Sequence, residues 1–199
     1  LHPVSSISVV REIAVSMGQI VSGIFEPETH QVVMIGLDEA GKSSILRFLK
    51  KSSEGIEEGP TVGFNCEKFM CKNAKGKTQV CTFWDVGGQE RLRALWKMYV
   101  RRTDAIIFVV DSANMERLKE CKEELDHLFK EECVPARIPF IIILNKIDLP
   151  GALREDGILE RIGIYRHKHD FTIVNCCAIT GAGLTDFVSR LNTMVNETR

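Results

Sequence analysis

Apolar residues crowd into four short runs along the chain, Val32 to Ile35, Ala105 to Val110, Phe140 to Leu144 and Phe171 to Cys176. Runs this short, bounded by polar or Gly-containing segments, fit strands, and Ala105 to Val110 and Phe140 to Leu144 fit buried ones. Between them the apolar positions recur at helical spacing. Helices are predicted from about Ser43 to Lys51, Met115 to Lys130, Arg154 to Arg161 and Ala182 to Val195, with an amphipathic stretch from Arg91 to Arg102. Two more strand-like runs, Phe64 to Cys71 and Thr78 to Trp84, flank Lys72-Asn73-Ala74-Lys75-Gly76-Lys77, which carries the turn residues of a hairpin. Strand and helix in alternation predict an α/β fold: a mostly parallel six-stranded sheet with helices on both faces, to which the hairpin adds one antiparallel edge strand. Lys119, Glu120, Lys122 and Glu124 read as a solvated helix face, and Arg91 and Arg93 as surface residues.

With 199 residues the chain can hold one self-sufficient core, since a domain of this size buries roughly 70% of its unfolded surface. That domain spans 30–199. Before it come a short arm, 17–29, and a segment, 1–16, that reads as a leader or non-native extension. Met17-Gly18-Gln19-Ile20-Val21-Ser22 fits an acylation signal in which Gly18 becomes the free amine and takes a myristoyl chain. Ile20, Val21, Ile24 and Phe25 give the arm an apolar face that would lie on a membrane surface or pack back on the domain. No apolar run approaches the roughly 20 residues needed to cross a bilayer, so the expected location is cytoplasmic with reversible, peripheral membrane contact. The formal net charge of −1, with no basic stripe interleaved with aromatics, argues against nucleic acid as a partner. Seven cysteines without C-x-x-C spacing fit free thiols better than disulfides or zinc.

The chemistry concentrates after the first run. Gly36-Leu37-Asp38-Glu39-Ala40-Gly41-Lys42-Ser43-Ser44 has the G-x-x-x-x-G-K-S spacing of a phosphate loop between strand and helix. Backbone N–H groups from Asp38 to Ser44, with Glu39, Ala40 and Gly41 between, would wrap a polyphosphate at a helix N-terminus. Lys42 would reach the β- and γ-phosphates and Ser43 would ligand Mg²⁺. Thr61, after Pro60, offers a second hydroxyl to the metal. Asp85, at the end of the strand Thr78 to Trp84, offers a carboxylate to it, usually through water. Gly87 and Gly88 let a backbone N–H approach the γ-phosphate, and Gln89 is placed to orient an attacking water.

Asn145-Lys146-Ile147-Asp148 follows the run Phe140 to Leu144. A carboxylate at Asp148 accepts from N1–H and the exocyclic amine of guanine, a donor pair that adenine lacks. Asn145 would either bond the base or tie the phosphate loop to this strand, and the stem of Lys146 would cover the ring. Small residues at Cys177 and Ala178 would let a backbone N–H reach the guanine O6.

On these residues the sequence resembles a small GTPase of the Ras superfamily. The strings GLDEAGKSS, PTVGFN, FWDVGGQE, LWKMY, NKIDLPGAL and CAITGAGL resemble the ADP-ribosylation factor (Arf) and Arf-like family, with a hairpin length like that of the Arf-like 4 subgroup. The resemblance implies a P-loop NTPase fold. It also implies a GTP/GDP switch with Mg²⁺, slow unaided hydrolysis, and exchange factors, GTPase-activating proteins and effectors as partners. By the same resemblance Phe64, Trp84 and Tyr99 form the patch on which effectors dock, and the hairpin shifts with GTP to eject the N-terminal arm. Glu39, Ile147 and Ala94 depart from the family pattern, and residues 190–199 do not carry the subgroup's basic tail. Two rival readings from the residues are a P-loop phosphotransferase and a GTP-binding module without turnover.

Overall fold

The computed structural model describes residues 27–50, 63–72, 76–130 and 133–197. The expectations for residues 1–16, the arm, Gly18 and Thr61 fall outside the described residues.

Six strands form one sheet in the order β2-β3-β1-β4-β5-β6. They are β1 (Glu28–Ile35), β2 (Phe64–Lys72), β3 (Thr78–Val86), β4 (Ala105–Asp111), β5 (Phe140–Asn145) and β6 (Phe171–Asn175). Only β2 is antiparallel, paired to β3 at the edge of the sheet, and every other pair is parallel. The predicted class and the antiparallel edge strand are both found.

The apolar runs are continuous because each strand feeds two cores. Val32, Met34, Ile107, Val109, Ile141 and Ile143 point to one face, where α1 (Lys42–Lys50) and α6 (Leu184–Glu197) cover them. Their neighbours Val33, Ile35, Ile106, Phe108, Ile142 and Leu144 point to the other, under α3 (Trp96–Val100), α4 (Leu118–Lys130) and α5 (Glu155–Ile162). Each fully buried side chain of this size contributes roughly 1.5–3 kcal/mol. The amphipathic stretch from Arg91 to Arg102 is not one helix. It divides into α2 (Glu90–Arg93) and α3, with Leu95 N–H donating to Leu92 O at the break.

The chain after β1 goes to the face covered by α1, and the chain after β4 goes to the face covered by α4. Those adjacent strands therefore splay their crossovers in opposite directions, and a crevice opens at their carboxyl ends, where doubly wound sheets bind ligands. The phosphate loop and the Asn145 motif leave the sheet at this end.

Candidate functional site

The loop after β1 bends round Lys42. Its ammonium is buried and donates to the carbonyls of Gly36 (2.8 Å) and Leu37 (2.9 Å), so the loop is braced across its own mouth. Glu39 stands in the left-handed region at φ +63°, exposed at the rim. Asp38, Gly41, Lys42, Ser43, Gly88, Gln89 and Lys146 share the lining of a cleft of about 600 Å³ with Glu39, Ser44 and Arg47. At its floor the Ser43 hydroxyl donates to the Asp85 carboxylate, which is fully buried.

Burial pushes the Lys42 ammonium down to about 8, against the pull of Asp85 and Asp38. A bound polyphosphate favours the charged form and raises that value again. Above pH 8 the empty site is therefore mostly neutral at Lys42, and binding must take up a proton. Affinity for a nucleoside triphosphate is expected to fall by up to about tenfold per pH unit above 8 and to level off below 7. Calorimetric titrations from pH 6.5 to 9.5 check this, and a flat profile would show that the phosphates do not engage Lys42.

Asn145 makes the tie to the phosphate loop. Buried at the end of β5, it donates through Nδ2 to Ala40 O (2.8 Å) and accepts at Oδ1 from the Ala178 N–H (3.0 Å). One side chain thus joins the phosphate loop, β5 and the loop after β6. Gly41 makes this possible, because a Cβ there would sit 2.2 Å from the Asn145 Nδ2. The Lys146 Nζ donates to Asp111 Oδ2 at the end of β4 (2.7 Å). Asp148 is exposed on the next turn and has no hydrogen-bond or ion-pair partner among the described residues. In the loop after β6 the Cys177 N–H donates to Ala182 O (3.0 Å), while the Ala178 N–H holds Asn145.

After β3 the chain lies directly on the phosphate loop. A Cβ on Gly88 would fall 2.3 Å from Asp38 N and Leu37 C and 2.4 Å from Gly36 O. The Gly87 carbonyl accepts from Trp96 Nε1 (3.0 Å), and the Gly87 N–H donates to Gly63 O (2.9 Å). Gln89 precedes α2 with its Oε1 accepting from the exposed Arg91 (3.1 Å).

Arg93 corrects the sequence reading. It is buried, donating to Gly88 O (2.8 Å) and pairing with Glu120 (2.7 Å), Glu124 (3.1 Å) and Asp38 (3.5 Å). Arg117 completes the group, donating to the Asp38 carbonyl (3.0 Å) and carboxylate (2.8 Å) and to Glu120 (2.7 Å). Glu120 and Glu124 are therefore not a solvated face; they point at a buried guanidinium. Burial alone would raise the Asp38 carboxyl, but the hydrogen bond and charge of Arg117 outweigh it and hold it below its ordinary range. The Arg117 hydrogen bond, with Arg93 beside it, lowers Glu120 in the same way. A usable signal was present: Arg93, Trp96 and Val100 fall at helical spacing on one inward stripe.

Phe64, Trp84 and Tyr99 come from β2, β3 and α3 and pack together, with ring centroids 5.6, 5.8 and 5.9 Å apart. Phe64 is 52% exposed, beside exposed Leu95 and Met98. A wider hollow of about 860 Å³, lined by Asp126, His127, Phe129, Arg166 and His167 among others, contains none of the motif residues. Burial pushes the Cys121 and Cys176 thiols up to about 12, which leaves them inert as nucleophiles.

A model of the ADP-ribosylation factor family matches residues 17–195. Human ADP-ribosylation factor-like protein 4C is 41% identical over 185 residues, covering 92% of this chain and 95% of that protein. Human ADP-ribosylation factor-like protein 4D is 41% identical over 167 residues, 82% of each. The solved structure of the Arl6 BBS3 small GTPase from Trypanosoma brucei, with bound nucleotide analogue GppNp, aligns with a TM-score of 0.74 at 31% identity, covering 86% of this chain and 99% of that one.

Proposed function

The chain belongs to the ADP-ribosylation factor family of small GTPases, and from that membership we propose that it is a GTP-operated switch of the Arf-like type that hydrolyses GTP slowly and recruits effectors in its GTP state. The observation that carries the reading is the single cleft shared by Lys42, Ser43, Gly88, Gln89 and Lys146, with Asn145 bracing the loop behind it.

Lys42 gives the β- and γ-phosphates a buried positive charge. The Gly88 N–H, resting on the phosphate loop, is the contact that registers the γ-phosphate, and its loss on hydrolysis frees the segment after β3. Gln89 turns from Arg91 to orient the attacking water. The Ser43 hydroxyl and Asp85 carboxylate form an all-oxygen pair suited to a hard cation, and Thr61 supplies a further hydroxyl. Mg²⁺ held there would neutralise charge on the β- and γ-phosphates. Arg93 and Arg117 are engaged with carboxylates, and hydrolysis is read as slow until an activating protein supplies an arginine finger worth about 10³ to 10⁵ in rate. Asp148 reads guanine.

The Phe64, Trp84 and Tyr99 patch is the docking face for effectors. The family match begins at residue 17, which supports Met17 as the start and Gly18 as the acylated residue, with the arm as the second membrane signal. The chain would then move reversibly between cytoplasm and membrane.

The test is to denature purified protein, identify the released nucleotide, and measure GTP and ATP affinity with and without Mg²⁺. Guanine nucleotide and a strong preference for GTP are expected. Adenine nucleotide, or none at any concentration, would overturn the reading in favour of a phosphotransferase.

A further inference from the structure

We propose that Arg93 is a positioning residue for GTP hydrolysis: clamped by Glu120 and Glu124, it fixes the Gly88 carbonyl and thereby sets where Gln89 stands. The inference rests on the reading of Gln89 as the residue that orients water.

The argument begins with the planar peptide bond. The Gly88 C=O and the Gln89 N–H belong to one rigid plane and point in opposite directions. Whatever holds the carbonyl holds the Gln89 backbone. Arg93 Nε holds it at 2.8 Å. The remaining nitrogens of the same guanidinium are held from the far side by Glu120 at 2.7 Å and Glu124 at 3.1 Å. A planar fork anchored on one side and donating on the other transmits position as well as charge. The guanidinium side of the clamp, 7% exposed, faces little competition from water.

A second contact acts on the same segment. Trp96 Nε1 holds the preceding carbonyl, Gly87 O, at 3.0 Å. Two consecutive carbonyls are pinned from the protein interior, immediately before Gln89. Among the described residues the Gln89 side chain is held only by the exposed Arg91, at 3.1 Å. The backbone of the catalytic residue is fixed while its amide is free to swing, which suits a group that must leave its resting partner to orient water.

The clamp also explains two carboxylates four residues apart on α4. Both hold Arg93, on which the segment after β3 depends, and Glu120 holds Arg117 as well. Lysine would not replace Arg93, because one ammonium cannot serve a carbonyl and two carboxylates in these fixed directions.

The experiment compares single-turnover GTP hydrolysis and GTP affinity in the unmodified chain, Gln89→Leu, Arg93→Met, Arg93→Lys and the double variant Arg93→Met/Gln89→Leu. Methionine keeps the apolar stem and removes the donors. A displacement of about 1 Å in a catalytic group costs up to about 10²-fold, so Arg93→Met is expected to slow hydrolysis by about ten- to a hundredfold with GTP affinity little changed. Arg93→Lys should not restore the rate. The double variant should hydrolyse no more slowly than Gln89→Leu alone, since Arg93 acts through Gln89. A purely structural arginine would instead multiply the two losses, and that result, or Arg93→Met turning over at the unmodified rate, overturns the proposal. If Arg93→Met does not fold, Glu124→Gln serves: a smaller slowing that disappears in the Gln89→Leu background supports the clamp, and no slowing overturns it. Gln89→Leu without any effect would sink the role of Gln89 and the clamp together, which is distinct from a slow Gln89→Leu beside an unaffected Arg93→Met.

Discussion

Asp148→Asn is expected to cost the chain its affinity for GTP by about 10² to 10⁴ and to raise its affinity for xanthosine triphosphate. The magnitude follows from two hydrogen bonds to an ionised acceptor, each worth about 1.5–3 kcal/mol, or together about 3–6 kcal/mol. The sign of the exchange follows from the donors. Guanine presents N1–H and an amine to the Asp148 carboxylate; xanthine has a carbonyl in place of the amine, which an Asn amide can meet with its NH₂ while its oxygen accepts N1–H. Asp148 is suited to this test because it carries no structural load. It is exposed, lacks a partner among the described residues, and sits on a turn closed by the Leu149 N–H on Lys146 O at 3.1 Å. The bracing is done by Asn145 beneath it. Competition binding of GTP and xanthosine triphosphate to both chains gives the answer. Unchanged GTP affinity would mean that the base is not read here.

The bracing by Asn145 was only half legible in the sequence. The motifs singled out the residues to follow, because the phosphate-loop spacing and the turn Asn145-Lys146-Ile147-Asp148 are local and carried by neighbouring residues. The sequence offered the tie only as one of two roles because its partners, Ala40 and Ala178, lie 105 and 33 residues away in the chain. The same distance in sequence explains the donors of the last loop. Small side chains at Cys177 and Ala178 leave room for a ligand, but nothing local announces that Asn145 Oδ1 and Ala182 O already take their N–H groups.

The sheet was legible for a different reason. A strand packed on both faces cannot afford polar positions, so Ala105 to Val110 and Phe140 to Leu144 stay apolar throughout, and the run itself reports the burial. Charged residues give no such report. Glu120 and Glu124 match the spacing of a solvated ion-pair face, and Lys119 does pair with Glu123, at 3.8 Å, on the exposed side of α4. Only the packing of α2 against α4 turns the other two carboxylates inward to Arg93. An arginine on an apolar stripe with Trp96 and Val100 was the one local sign that a buried charge needed partners.

Gly88→Ala should remove the chain's ability to tell GTP from GDP. The added Cβ meets Asp38 N, Leu37 C and Gly36 O at 2.3 to 2.4 Å, all of them backbone atoms. This backbone has little room to yield: Lys42 braces Gly36 and Leu37, Arg117 holds the Asp38 carbonyl, and Asn145 holds Ala40. The segment after β3 must lift instead, and the Gly88 N–H leaves the place where a γ-phosphate would meet it. One hydrogen bond to a charged acceptor, about 1.5–3 kcal/mol, is lost for GTP and none for GDP, so GTP affinity should fall by about ten- to a hundredfold while GDP affinity holds. Lifting also breaks the Arg93 contact to Gly88 O, so single-turnover hydrolysis should drop together with GTP affinity. Paired titrations with GDP and a non-hydrolysable GTP analogue check the ratio. If Gly88→Ala kept the unmodified preference, the γ-phosphate would have to be sensed elsewhere, and residues 51–62, which include Thr61, would be the segment to test next.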